Sequence, residues 1–435
     1  MNIIPNIIFA ILLVAGIGYF ARNVKKLVRN IKLGKDVDVS DNTAIRWKNM
    51  TRIALGQSKM VQRPIAGILH IVVYVGFIII NIEVLEIIID GLFGTHRIFS
   101  GIGSLYGVLI GTFEILAFLV FVSVIIFWIR RNVIKLQRFW KSEMKGWPKS
   151  DGNIILYIEM VLMVLFLIMN ATDVHFQEMN NGNVISQYIA PLFSNFSEST
   201  LHLIERGAWW LHIIGILCFL NYLYYSKHLH ILLAFPNTYY GKVRPKGQLD
   251  NLEAVTTEVM MMMDPNADPF AAPAEDAFEE EVAKFGASDV QDLNWVQLLN
   301  AYTCTECGRC TSECPANQTG KKLSPRKIMM DTRDRLEEVG KNIDANNGVF
   351  NDDGKQLLGD YITNEELWAC TSCNACVEAC PVSIDPLSII IDMRRYLVME
   401  QSAAPAELNN MMTNIENNGA PWPYNQMDRL NWKDE

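Results

Sequence analysis

The chain has no cysteine to spare. Nine occur in 435 residues, and eight of them fall into two short runs, which leaves no pair for a disulfide framework. Cations are missing from two stretches: 90–103 holds only Arg97, and 172–205 holds no Lys or Arg. No glycine loop for a nucleotide is present; Gly101-Ile102-Gly103 lacks the third glycine of that fingerprint. There is no Ser/His/Asp set and no internal repeat beyond the cysteine runs. These absences exclude a nucleotide-dependent dehydrogenase, a triad hydrolase and a disulfide-stapled secreted domain.

The two cysteine runs are Cys304-Thr-Glu-Cys307-Gly-Arg-Cys310-Thr-Ser-Glu-Cys314-Pro315 and Cys370-Thr-Ser-Cys373-Asn-Ala-Cys376-Val-Glu-Ala-Cys380-Pro381. Both read C-x2-C-x2-C-x3-C-P, the spacing that wraps a [4Fe–4S] cluster. Three closely spaced thiolates converge on one cube, and the proline turns the fourth away. In two-cluster proteins that fourth cysteine serves the other cluster. Cys304, Cys307, Cys310 and Cys380 are therefore assigned to one cluster, and Cys370, Cys373, Cys376 and Cys314 to a second. Structural zinc uses two separated pairs rather than four cysteines in one run.

The net charge of −9 and the hydrophobic half of the composition average over two unlike segments. Residues 1–240 carry long apolar runs, and residues 241–435 are polar and acidic. Five runs are long enough to cross a bilayer, at about 3–21, 64–89, 104–129, 153–171 and 206–233. The first lacks the basic start and small-residue exit of a cleaved signal. Lys and Arg crowd 22–63 and 130–149, so these loops are expected to face the cytoplasm, with the N-terminus outside. The reading is a multi-pass protein of the bacterial inner membrane. Its basic loops meet lipid headgroups, with no nucleic-acid partner. Pro265, Pro269, Pro273 and the acids from Glu275 to Glu281 mark an acidic linker within 241–284. The expected order is a membrane domain over 1–240, that linker, a two-cluster domain over 285–400 and a partner-docking tail over 401–435. Met260 to Met263 read as apolar filler at a helix end.

Histidine placement carries a second signal. His70 lies six residues past Pro64, about 9 Å along the second span. His230 lies near the corresponding end of the fifth, so the two share a depth. Two imidazoles at one level on two helices can hold a haem b between them, and polar rings in lipid mark function. His212 precedes His230 by about five turns of an unbroken helix. It is a candidate for a second haem, with His175 as a substitute partner. His228 is expected at the interface, and His96 and His202 in loops. Among acids within spans, Glu83 and Glu86 are expected to snorkel outward and Glu159 to sit at the interface. Glu114 is deeper and is the proton-relay candidate, with a bonded structural role as its alternative. Cys218 reads as a small apolar residue.

The membrane half resembles the five-helix cytochrome b subunit of respiratory nitrate reductase and the membrane subunit of heterodisulfide reductase. The likeness rests on helix count, His70, and the His212/His230 pair. Residues 285–435 resemble the iron–sulfur subunits of heterodisulfide reductase, glycolate oxidase and anaerobic glycerol-3-phosphate dehydrogenase. Here it rests on both cysteine runs, Leu323-Ser324-Pro325-Arg326, Leu367-Trp368 and Met393-Arg394. That resemblance implies a mainly α protein, a transmembrane bundle followed by a helical ferredoxin fold with two [4Fe–4S] clusters. It implies an oxidoreductase subunit passing electrons between a membrane quinone, as substrate, haem b and the clusters. It also implies a separate cytoplasmic partner, a cysteine-rich CCG-domain protein or a flavoprotein dehydrogenase. A redox-sensing membrane scaffold that recruits a partner is the alternative.

Overall fold

A computed structural model describes residues 3–179, 181–245, 247–264 and 284–434. Residues 265–283, which hold the three prolines and the acid run of the expected linker, lie outside the described residues. The described residues are mainly helical and contain no named strand.

Five helices are long and apolar enough to cross a membrane: α1 (Ile4–Ile31), α2 (Pro64–Phe93), α3 (Ser104–Asn132), α4 (Trp147–Thr172) and α5 (Glu198–Tyr222). They pack in ring order, α1 on α2, α2 on α3, α3 on α4, α4 on α5, and α5 back on α1. Lipid offers no hydrophobic drive between helices, so close approach at small residues matters. At Gly76 of α2 a Cβ would sit 2.5 Å from the Val120 side chain on α3. The 28 residues of α1 span about 42 Å, more than the roughly 30 Å hydrocarbon layer. Its basic end, expected as loop, continues as helix into the cysteine-rich half. There Lys26 pairs with Asp344 at 2.6 Å, and Asn30 donates to Tyr302 Oη at 2.9 Å.

The fifth apolar run is not one helix. α5 stops at Tyr222, short 3₁₀ turns follow, and α6 (His230–Tyr240) starts anew. Ser226 is extended, and its hydroxyl takes the His228 N–H at 3.1 Å. Asp151 of α4 takes the Lys227 N–H at 3.1 Å. These acceptors satisfy backbone donors that a continuous helix would have used internally. His212 and His230 are thus on different helices, and counting turns between them does not apply.

At the bundle end far from the cysteines, the expected snorkelling of Glu83 and Glu86 is overturned. Both are buried. Glu86 accepts from the Phe99 N–H at 2.8 Å and from Tyr106 Oη at 3.2 Å. The lone cation of that loop, Arg97, is buried too. It donates to Asp173 at 2.8 Å and Asn170 at 2.9 Å and lies 4.2 Å over Phe176. Arg97→Ala strips a buried charge from Asp173, and such losses cost about 3–5 kcal/mol. Thermal unfolding of the variant in detergent should show a large drop in midpoint; an unchanged midpoint would refute that role.

The cysteine-rich half is built from α7 (Trp295–Thr303), α8 (Arg309–Glu313), α9 (Pro325–Ala345), α10 (Ala375–Ala379) and α11 (Pro386–Met399). Asn294, Ser324 and Asp385 cap α7, α9 and α11 with their side chains. Its core of Val290, Leu293, Leu298, Ile328, Leu336 and Ile390 also takes in Leu27 of α1 and Leu223 and Leu229 from the α5–α6 turn. The two halves share one apolar core, each buried Leu or Ile contributing about 1.5–3 kcal/mol.

Candidate functional site

Each cysteine run folds the same way. Two cysteines lie on a loop that leads into a short helix, α8 or α10; the third is within that helix, and the fourth caps its end, followed by proline. Two residues in each loop are left-handed, Glu306 (φ 53°) and Gly308 (φ 70°) in the first, Ser372 (φ 56°) and Asn374 (φ 60°) in the second. Alternating hand turns successive N–H groups inward, which suits an anionic centre. Gly and Asn tolerate this conformation. At Gly308 a Cβ would also meet Arg326 Nη1 at 2.5 Å.

Helices α8 and α10 pack against each other, so the loops face one another. The thiols fall into two sets of four. Cys304, Cys307, Cys310 and Cys380 lie near enough for each thiolate to disfavour its neighbours. Cys370, Cys373, Cys376 and Cys314 do the same, and Cys376 also acts on Cys310. Burial, helped by this repulsion, pushes Cys304 and Cys376 up to about 12 and Cys380 to about 11. Buried thiols that resist ionisation beside one another are a donor set for iron, whose positive charge stabilises them as thiolates. Cys304, Cys314, Cys376 and Cys380 are buried, whereas Cys373 is exposed. Cys218 is exposed on the bundle surface.

The other motif residues brace these loops. Arg326, fully buried, donates to the Arg138 carbonyl at 2.6 Å and to Glu143 at 2.7 Å. Ser324 shares Glu143 at 2.8 Å. All three bonds reach the segment between α3 and α4. Arg394 donates to the Leu367 and Cys370 carbonyls and lies 4.8 Å over Trp368.

His70 and His230 come together, with ring centroids 6.4 Å apart and planes 42° apart. His230 Nδ1 lies 3.1 Å from the Lys227 carbonyl, which fixes that nitrogen as the N–H and leaves Nε2 as a ligand atom. His70 Nδ1 is shielded with no partner. Lys227 in turn pairs through Nζ with Glu306, inside the first cysteine loop. Glu306 also holds Arg333 at 2.8 Å. Burial works against its charge, but Lys227 and Arg333 keep its carboxyl below the usual value. A chain of bonds thus joins the imidazole pair to the Cys304–Cys307 loop.

His212 is buried against Phe166, rings 6.2 Å apart, with Nδ1 unpartnered. His175 is exposed, and no ring contact joins it to His212. Glu114 accepts three hydrogen bonds, from Asn170 at 3.0 Å and from the Ile185 and Ser186 N–H groups at 2.7 and 3.0 Å. They occupy both its oxygens and tie down the segment before α5.

His228, expected at the interface, packs among neighbouring side chains instead of facing outward. It stacks on Phe219 at 5.3 Å, meets His230 edge-on at 5.4 Å and lies 3.6 Å from Glu159. The Glu159–His228 pair went unread because its members are on separate elements; two polar side chains inside apolar runs were the available signal.

Residues 303–384 match the 4Fe-4S dicluster domain family. No solved structure matches the chain. The chain is 29% identical, over 99% of its own length and 61% of the relative's, to a Bacillus subtilis protein named as a probable iron-sulfur-binding oxidoreductase, FadF. It is 25% identical to the EtfAB:quinone oxidoreductase of Syntrophomonas wolfei, over 92% of this chain and 55% of that one. Over 25% of its length it is 34% identical to one subunit of the ferredoxin/F(420)H(2)-dependent CoB-CoM heterodisulfide reductase of Methanosarcina acetivorans, covering 52% of that polypeptide. The chain spans less than two thirds of the length of these curated relatives. It carries a 4Fe–4S dicluster domain behind five membrane-length helices, and these relatives are named as oxidoreductases or a reductase subunit.

Proposed function

We propose that the chain is the membrane electron-transfer subunit of a quinone-linked iron–sulfur oxidoreductase. Its four working parts would be a quinone in the bilayer, a haem b at His70 and His230, two [4Fe–4S] clusters, and a cytoplasmic redox partner. The observation that carries this reading is the bonded path His230–Lys227–Glu306. It leads from the imidazole pair into the loop of Cys304 and Cys307.

Two imidazoles bound through nitrogen to one metal, at about 2.0 Å per bond, hold their centroids about 6.3 Å apart. The 6.4 Å spacing of His70 and His230 fits that requirement. Haem b and [4Fe–4S] clusters supply one-electron redox chemistry when bound, which no side chain here provides. The ligand sets are ordered. The Cys304 loop is the one bonded toward the imidazoles through Glu306 and Lys227, and the Cys370 set includes exposed Cys373. The partner would dock on that exposed side. His228 Nε2 and Glu159 form a half-buried pair beside His230, placed to exchange the protons that quinone chemistry requires. No imidazole is paired with His212, which favours one haem over two.

The quinone follows the name of the Syntrophomonas relative. The partner is a CCG-domain protein or a flavoprotein dehydrogenase. By the charge rule the cysteine-rich half is cytoplasmic, the membrane is the bacterial inner membrane, and the N-terminus is outside. Residues 1–240 form the membrane domain, 285–400 the two-cluster domain and 401–435 the docking tail. Exposed Trp422, Met427 and Trp432 suit that last role.

The test is anaerobic purification with iron, acid-labile sulfide and haem quantified. Two clusters and one haem require about nine iron and about eight sulfide per chain. Added quinol should reduce a b-type absorption band. A colourless preparation, or a haem that no quinol reduces, would sink the proposal.

A further inference from the structure

On the cysteine side of the bundle, α2 begins at Pro64 and α3 ends at Asn132. Between these ends lies an open cavity of about 460 Å³, lined by Arg63, Ile65, Arg130, Gln137 and Arg138 among others. Three of its lining residues are arginines and none is acidic. Arg63 is paired with Glu313 at 2.7 Å. Among the described residues no acid pairs with Arg130 or Arg138. Arg138 rests on Phe139 at 4.8 Å, and its Nε is buried without a partner. Arg63, Arg130 and Arg309 repel it, while the Cys307 thiolate attracts it. The cavity therefore holds more positive charge than its walls neutralise.

Its depth in the bilayer narrows what can fill it. Ile65 and Ile68 on α2 and Val133 and Ile134 after α3 are all exposed. They continue the apolar surface of two spans right up to the arginines. A ligand reaching both surfaces has a charged head and hydrocarbon tails. Cationic pockets between spans at this level attract anionic headgroups.

We propose that this cavity binds the phosphate of an anionic phospholipid, its oxygens taken by Arg130, Arg138 and Arg63 and its acyl chains lying along Ile65, Ile68, Val133 and Ile134. Arginine forks match phosphate oxygens in pairs. The Arg138 carbonyl already accepts from buried Arg326, and Arg63 reaches Ser312 and Glu313 of the first cysteine run. The headgroup would thereby brace the seam between the membrane half and the Cys307 loop. The site requires neither haem nor clusters.

Native mass spectrometry of the full chain, released from detergent with equal phosphatidylglycerol and phosphatidylcholine, tests this. The expected result is about one retained phosphatidylglycerol per chain and little phosphatidylcholine. Each headgroup arginine contributes about fivefold in affinity. Arg130→Gln should weaken retention by about that factor, while Arg130→Lys keeps most of it and Lys341→Gln, in the cysteine-rich half, keeps all. Equal retention of both lipids overturns the proposal, as does an undiminished preference in Arg130→Gln. Inorganic phosphate supplies the same chemistry without tails. If it competes as well as phosphatidylglycerol in micelles, the site is one for a soluble anion and the lipid assignment falls.

Discussion

Cys314→Ser is expected to remove the cluster of the distant Cys370 run and to spare the one its own run surrounds. Cys314 ends α8 in an extended conformation (φ −73°, ψ 118°). Its thiol acts on those of Cys370 and Cys376. Cys380, at the same place after α10, acts in return on the Cys304 set. A serine oxygen is a harder and poorer donor for iron than a thiolate. Iron and sulfide in the variant should each fall by about four per chain. Its electron paramagnetic resonance spectrum should match that of Cys373→Ser and differ from that of Cys307→Ser. A match to Cys307→Ser instead would mean that each run closes its own cluster, and the crossed assignment would be wrong. The effect is large because both proposed clusters sit in one folded unit, yet the variant separates them.

His70→Ala should abolish the b-type spectrum altogether while leaving cluster iron and sulfide intact. The argument is geometric. His70 and His230 face each other at 6.4 Å, and no other imidazole is placed to replace His70: His228 meets His230 edge-on from its own turn and is turned toward Glu159. The clusters should survive because the cysteine loops are braced by Arg326, Arg394 and Glu306, none of which contacts His70. His212→Ala, by contrast, should leave the haem spectrum unchanged and act on packing alone. A full b-type spectrum in His70→Ala would refute the ligand assignment.

Much of this arrangement was readable from local pattern. The second, third and fourth spans were placed to within a few residues except at the start of α4, because a bilayer demands an uninterrupted apolar run and the sequence supplies one. Gly308 and Asn374 stand where the loops need left-handed residues, a requirement the cysteine spacing by itself does not state. His70 and His230 do come together, but the depth count that paired them ran along an unbroken fifth helix, which the structure interrupts at Ser226. The errors share a cause. The break at Ser226 depends on Asp151, and the burial of Glu86 on Phe99 and Tyr106. In each case a polar group inside an apolar run is satisfied by a residue far away in the chain. Apolar periodicity does not encode such partners. The end of α1 was misread for a related reason: a helix can outlast its hydrophobic stretch when, as at Lys26 and Asn30, a protein surface receives its polar turns.

The apolar core that crosses from α1 and the α5–α6 turn into the cysteine-rich half has a genetic corollary. Leu27, Leu223 and Leu229 are packed among Leu298, Leu336 and their neighbours by contact, not by the peptide that runs from 264 to 284. Two open reading frames, divided within that stretch, would yield polypeptides able to meet through the same leucines, but at the cost of association that the tether otherwise spares them.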